Sequence, residues 1–241
     1  LNADLQVVVA FRMLPELVWN MPRLGTINLH GSLLPQYRGA APINWAVING
    51  EKETGVTTFR LQHEIDTGNI LLQESFPISE NETAGEVHDR MKEIGARLLV
   101  KTVNGLANGD LTETPQSLTK ESETSDNNLR LLKHAPKIFT ETCKIDFSKT
   151  TEQVHNLIRG LSPFPGAFTY LTDKLFKIYK SEKDFSGGGH AGTSKPGDYQ
   201  TDGKTYLKFA CSDGYIKVLE VQLEGKKKIG IKDFLKGYRF E

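Results

Sequence analysis

Asn28-Leu29-His30-Gly31-Ser32-Leu33-Leu34-Pro35-Gln36-Tyr37-Arg38-Gly39 begins within a strand-like run, Thr26 to His30. In a strand, residues two apart leave the same face, so Asn28 and His30 point together at the end of a sheet. Gly31, Pro35 and Gly39 then force the chain into a shaped loop. Paired polar side chains at a strand's end, with a loop beyond, are how an open α/β sheet builds a site.

Around this stretch, strand-like and helix-like segments alternate. Leu5 to Phe11 reads as a parallel strand buried on both faces, which needs a neighbour on each side. A helix opens at Pro42, where proline suits the first helical position. Strands fit Gly55 to Leu61 and Ile70 to Ser75. Thr83 to Glu86 has capping-box spacing ahead of a helical stripe of Val87, Met91, Ile94, Leu98 and Val103. The alternation predicts an α/β domain over residues 1–108 with a mostly parallel sheet. The chain opens as if upstream strands of this sheet lay outside the sequence.

From Asn108 to Asn128 periodicity vanishes in a polar run of Thr, Ser, Glu and Asn, the expected linker over residues 109–128. Beyond it, Val154, Leu157, Ile158 and Leu161 fall at helical spacing ahead of Pro163-Phe164-Pro165-Gly166. Short β-rich runs follow at Ala167 to Leu171, Leu175 to Tyr179, Tyr206 to Cys211 and Tyr215 to Leu223. Strands of this length broken by Gly and Asp turns predict a small OB-like β-barrel over residues 129–241. Gly187 to Gly189 lacks the strand and helix context of a phosphate cradle and reads as a loop.

The 241 residues are 38% hydrophobic and 25% charged, with no apolar run long enough to cross a bilayer and no leader-like opening, so a cytoplasmic protein is expected. Cys143 and Cys211 stand far apart, which argues for two buried small side chains rather than a disulfide framework or zinc site. The formal net charge is zero, yet residues 1–129 hold 10 Lys+Arg against 17 Asp+Glu while residues 130–241 hold 20 against 13. A basic second half fits either a polyanionic partner or a well-solvated surface.

A third polar residue that can complete the Asn28 and His30 pair is Asp66, in the turn His63-Glu64-Ile65-Asp66-Thr67-Gly68-Asn69. A carboxylate there can orient the imidazole while Asn28 donates to a developing oxyanion. The same region offers a rival set for a metal, His30, His63 and Asp66, which would leave Asn28 idle. His88, His134, His155 and His190 read as surface or packing residues. Arg38 suits either a phosphate or stacking on Tyr37, and Lys226 to Lys228 either phosphate contact or a solvated face.

The run Asn28 to Gly39, continued as Ala40-Ala41-Pro42-Ile43-Asn44-Trp45, resembles the signature of the 10-formyltetrahydrofolate-dependent formyltransferases, as do Glu53 to Thr57 and Ile65 to Gly68. The resemblance implies a Rossmann-like catalytic domain, N-terminally incomplete here. It also implies a catalytic Asn28, His30 and Asp66, a folate contact at Ser32, Leu33, Leu34 and Pro35, and no metal. Lys144 to Phe147, the helix reaching Arg159, Pro163 to Ala167 and the stretch from Gly225 to Leu235 resemble the second domain of the family's tRNA-acting branch, the methionyl-tRNA formyltransferases. That implies initiator methionyl-tRNA as partner of a monomeric enzyme, with 10-formyltetrahydrofolate as formyl donor. Sugar-nucleotide formyltransferases share a version of this domain, and a non-catalytic RNA-binding protein is the reading from another class. The basic loop that such enzymes carry near the N-terminus is absent from this sequence.

Overall fold

The computed structural model describes residues 2–10, 13–118, 132–185 and 194–240. Two units divide the chain: Leu1–Ala46, Lys52–Ser79 and Glu86–Lys137 form the first, and Val47–Glu51, Glu80–Gly85 and Ile138–Glu241 the second. Residues 119–128 of the polar run expected as a linker, the Gly187 to Gly189 run expected as a loop, and His190 lie outside the described residues. Among the described residues no helix is long and apolar enough to cross a membrane.

In the first unit, β1 (Gln6–Val8), α1 (Glu16–Trp19) and β2 (Thr26–His30) lead into the loop that ends at β3 (Arg38–Gly39). Then come α2 (Pro42–Ile48), β4 (Glu53–Arg60), β5 (Ile70–Pro77), the long α3 (Ala84–Asn108) and β6 (His134–Ala135). The main sheet has the order β1-β2-β4-β5. Its β1/β2 pairing is parallel, with Val8 opposite Asn28, and its other two pairings are antiparallel. The α/β expectation holds, and within the main sheet the described parallel pairing is confined to β1/β2. Strands β4 and β5 are joined only by residues 61–69, too short for the dozen or more residues of a parallel crossover. Strand β1 ends this sheet, so Val7 and Val9 keep 40% and 53% of their surface exposed where the sequence reads as a strand buried on both faces.

Helix α3 carries the expected stripe: Val87, Met91 and Leu98 are buried. It comes close to β2 at Gly95, where an added Cβ would sit 3.0 Å from Leu29 Cδ2. One turn earlier Met91 Sδ would lie 3.0 Å from a Cβ on Gly31. Thr58 and Thr102, both buried, exchange a hydroxyl hydrogen bond of 2.8 Å. These contacts fix the end of β2, where the polar pair sits, against a rigid helix.

The second unit holds α4 (Thr140–Cys143), α5 (Thr151–Gly160), β7 (Ala167–Leu171), β8 (Lys174–Asp184), β9 (Tyr199–Thr201), β10 (Leu207–Ala210), β11 (Tyr215–Leu223), β12 (Ile229–Gly230) and α6 (Ile231–Gly237). The OB-like barrel expectation is realised as a curled antiparallel half-barrel of order β7-β8-β11-β10-β9, with β12 beside β11. The register shifts between Val218 and Val221 mark a bulge, the usual device for bending and coiling a strand. Helix α5 begins at a full capping box, the Thr150 hydroxyl accepting from the Gln153 N–H while the Gln153 side chain accepts from the Thr150 N–H. It buries Val154, Ile158 and the following Leu161 against a core that includes Phe176, Ile178, Phe209 and Ile216. His155, on the same helix, is a packing residue, with Nδ1 3.0 Å from Ser181 Oγ. Both cysteines are buried and free, and burial pushes the Cys211 thiol up to about 12, far from the thiolate that reactivity requires.

Candidate active site

The two polar side chains at the end of β2 are held differently. Asn28 and His30 are each 7% exposed and line a cavity of about 910 Å³ in the first unit, together with Gly39 and Asp66. Its remaining walls are largely apolar and include Met13, Leu14, Trp19, Ile43 and Met91. Among the described residues the Asn28 amide makes no hydrogen bond, so its two N–H donors are available at the cavity wall.

His30 is held by a hydrogen bond at one ring nitrogen and faces a carboxylate with the other. Nε2 lies 2.9 Å from the Tyr37 carbonyl, which can only accept, so Nε2 carries the proton. Nδ1 faces Asp66 Oδ2 at 3.7 Å, just beyond hydrogen-bond distance. Phe59 packs its ring edge-to-face against the imidazole at 6.4 Å. The Asp66 carboxylate accepts a 2.9 Å hydrogen bond from the Gly39 N–H, tying the loop after β2 to the loop after β4.

Both loops adopt backbone conformations that few residues favour. Tyr37 has φ +59° and Asp66 φ +56°, in the left-handed region that costs an ordinary residue roughly 1–2 kcal/mol. Gly39 has φ +126° and an added Cβ there would stand 2.4 Å from the Ala135 carbonyl. At Gly68 the chain runs so close to β4 that a Cβ would be 1.7 Å from the Arg60 carbonyl. Strand β6 lies parallel to β3, pairing Arg38 with His134 and Gly39 with Ala135. The Lys133 carbonyl also takes the Tyr37 N–H at 2.6 Å.

The structure thus brings Asn28, His30 and Asp66 together and places Ser32, Leu33, Leu34 and Pro35 elsewhere. None of these four lines the cavity. The Ser32 hydroxyl donates to the Gln36 carbonyl at 2.7 Å. The Leu34 N–H donates to Thr57 Oγ1, and the Leu34 carbonyl accepts from Gln73 Nε2 at 2.9 Å. Leu34 itself packs with Phe59 and Ile70. Arg38 is half-buried, and its guanidinium forks onto the side-chain oxygen of Gln116. Burial pulls the Arg38 guanidinium below its ordinary value, against the opposing pull of Asp66 and Glu64. Among the described residues no group of three or more His, Cys, Asp or Glu side chains is arranged to hold a metal, so the His30, His63 and Asp66 set is not assembled.

An amide with open donors, an imidazole held at Nε2 and a carboxylate thus converge on one largely apolar cavity, a combination suited to stabilising charge that develops during group transfer. Residues 1–103 match the family Formyl transferase and residues 137–239 match Formyl transferase, C-terminal domain. The chain belongs to the formyl transferase family.

Within that family, the methionyl-tRNA formyltransferase of Phocaeicola vulgatus is 53% identical over 99% of this chain and 72% of its own length. That of Azobacteroides pseudotrichonymphae is 54% identical over 98% of the chain and 72% of its own length. Solved structures similar in fold are HypX from Aquifex aeolicus in complex with tetrahydrofolic acid (TM-score 0.67, 20% identity, 99% of this chain and 40% of that one) and WlaRD, a sugar 3N-formyl transferase (TM-score 0.67, 23% identity, 92% and 73%).

Proposed function

We propose that the protein transfers the formyl group of 10-formyltetrahydrofolate to the α-amine of methionine esterified to initiator tRNA, the step that prepares this tRNA for translation initiation in the cytoplasm. The observation that carries this reading is the convergence of Asn28, His30 and Asp66 on one cavity, in a chain more than half identical over nearly its whole length to two methionyl-tRNA formyltransferases.

The amine attacks the formyl carbon, the carbonyl electrons move onto oxygen, and the tetrahedral intermediate then collapses by breaking the carbon to N10 bond. Asn28, with its donors open to the cavity, stabilises the oxyanion. Because Nε2–H is already committed to the Tyr37 carbonyl, a proton leaving the amine has one receptive place beside the ring, between His30 Nδ1 and Asp66 Oδ2. The proton then passes to N10 as it departs. No covalent enzyme intermediate and no metal is needed for this sequence.

The apolar cavity walls receive the flat ring of the folate, and Ser32, Leu33, Leu34 and Pro35 support that side by shaping the loop. Residues 1–108 carry the catalytic part, and residues 129–241, with 20 Lys+Arg in residues 130–241, hold the tRNA. Within the lysine cluster Lys228 is paired with Glu220 at 2.9 Å, so Lys226 and Lys227 are the better phosphate partners.

The test incubates the full gene product with 10-formyltetrahydrofolate and either methionyl-tRNA or an amino-sugar nucleotide. Formylation of the methionyl-tRNA is expected. Formylation of the sugar alone would overturn the assignment of the acceptor.

A further inference from the structure

We propose that Gln116 is a positioning residue for formyl transfer, acting through the Asp66 turn to set the approach of the carboxylate to His30. This rests on the catalytic reading of His30 and Asp66 given above. Gln116 lies at the start of a short 3₁₀ turn (Gln116–Leu118), in the polar stretch that sequence pattern marks as linker, and it is 5% exposed.

Its side-chain amide uses its full bonding capacity. Nε2 donates to the Asp66 carbonyl at 2.8 Å and to the Gly68 carbonyl at 2.8 Å, one hydrogen to each side of the turn. Oε1 accepts from Arg38 Nε at 3.0 Å and from Arg38 Nη2, one lone pair to each. Gln116 therefore bolts the Asp66 turn to the residue that follows Tyr37, and Tyr37 is the residue whose carbonyl holds His30 Nε2. Both partners of the imidazole hang from one amide.

This matters because both partners sit at strained positions, Tyr37 at φ +59° and Asp66 at φ +56°, which persist only where their surroundings impose them. His30 Nδ1 and Asp66 Oδ2 are 3.7 Å apart, so a shift of a few tenths of an ångström decides whether they can share a proton. Misplacing such a group by about 1 Å can cost a hundredfold in rate.

The experiment is a double-mutant cycle in the full gene product. Gln116→Ala should lower kcat about ten- to a hundredfold, change KM for 10-formyltetrahydrofolate by less than about threefold, and shift the pH profile of kcat. In an Asp66→Asn background the same substitution should cost less than about threefold, since the carboxylate it positions is gone. Gln116→Glu keeps the shape and the Arg38 pair but turns two donors into acceptors facing two carbonyls, so it should lose kcat like the alanine variant while remaining folded by circular dichroism. Full activity of Gln116→Glu, or equal losses in both backgrounds, would overturn the positioning role. If Asp66→Asn itself keeps normal turnover, it is the catalytic reading that fails, and the cycle tells the two apart.

Discussion

Asp66 and Asp173 share a residue type and a left-handed backbone, at φ +56° and +62°, and little else. Asp173 belongs with Thr172 to the two-residue connection between β7 and β8. Both central residues have positive φ, as the type I′ hairpin turn requires, and the carboxylate is exposed. Asp66 has 11% of its side chain exposed, accepts the Gly39 N–H, faces His30 Nδ1 and offers its carbonyl to Gln116. At the hairpin the left-handed conformation is a local consequence of turning the chain. At the cavity it is imposed by segments distant in sequence. Positive φ alone therefore marks a turn; burial with converging partners marks a site.

Removing the partners breaks the comparison most sharply. His30→Ala or Asp66→Ala should lower kcat of the full gene product by about a hundredfold to ten-thousandfold while the thermal unfolding midpoint changes little. Near-normal turnover from either variant would make Asp66 no more than a turn former like Asp173.

The next effect is on stability. Gly68→Ala puts a methyl where the Arg60 carbonyl already stands, 1.7 Å away, so β4 or the Asp66 turn must move. A loss of about 2–4 kcal/mol in urea unfolding is expected, with turnover falling alongside. Gly203, at φ +71° in the second unit, has nothing within 4 Å of an added Cβ, so Gly203→Ala should cost only about 1 kcal/mol of backbone strain. Equal costs at the two glycines would show that crowding at Gly68 is relieved without consequence.

The contrast explains what could be read from sequence. Asn28 and His30 were legible because a strand's period of two is a short-range rule, and α5 because its apolar residues fall at helical spacing. Asp66 was legible as a turn residue and as a candidate third partner for the polar pair, and the resemblance to a family is what implies a catalytic role for it. Gln116 was not legible at all: its partners are 50 and 78 positions away, and it stands in a polar stretch without periodicity. For the same reason the sequence offers Arg38 either a phosphate or the Tyr37 ring, whereas its guanidinium forks onto Gln116. Short pieces such as β9, β12 and α6 escaped because their boundaries are set by pairing and packing rather than by local pattern.

Two histidines sharpen the point at smaller magnitude. His30 and His155 are both buried, but only His30 lines the cavity. Burial, and then the nearby Arg159 and Lys183, hold the His155 imidazole below its ordinary 6.5, against the weaker opposing effects of Glu152 and the Glu80 backbone. The unfolded chain thus takes up the proton first. The contribution of neutral His155 is complete above about pH 6.5 and is lost as pH falls toward its native value. His155→Gln should flatten the decline in urea stability between pH 7.5 and 5.5 without changing the formylation rate. An unchanged slope would mean that the decline arises elsewhere.

The smallest effect is expected at Asp173, and it closes the comparison because the same substitution can be made at both aspartates. Glycine relieves a left-handed backbone that costs an L-residue roughly 1–2 kcal/mol, less for Asp, but it also frees the unfolded chain by a similar amount. At Asp173 the two terms nearly cancel, so Asp173→Gly should shift urea stability by less than about 0.5 kcal/mol and leave kcat within twofold. The backbone arithmetic is the same for Asp66→Gly, yet that variant also deletes the acceptor of the Gly39 N–H and the carboxylate facing His30. It should lose catalysis almost entirely. Any substantial loss of rate in Asp173→Gly would mean that the hairpin takes part in binding the acceptor and that its strain, too, is imposed by function.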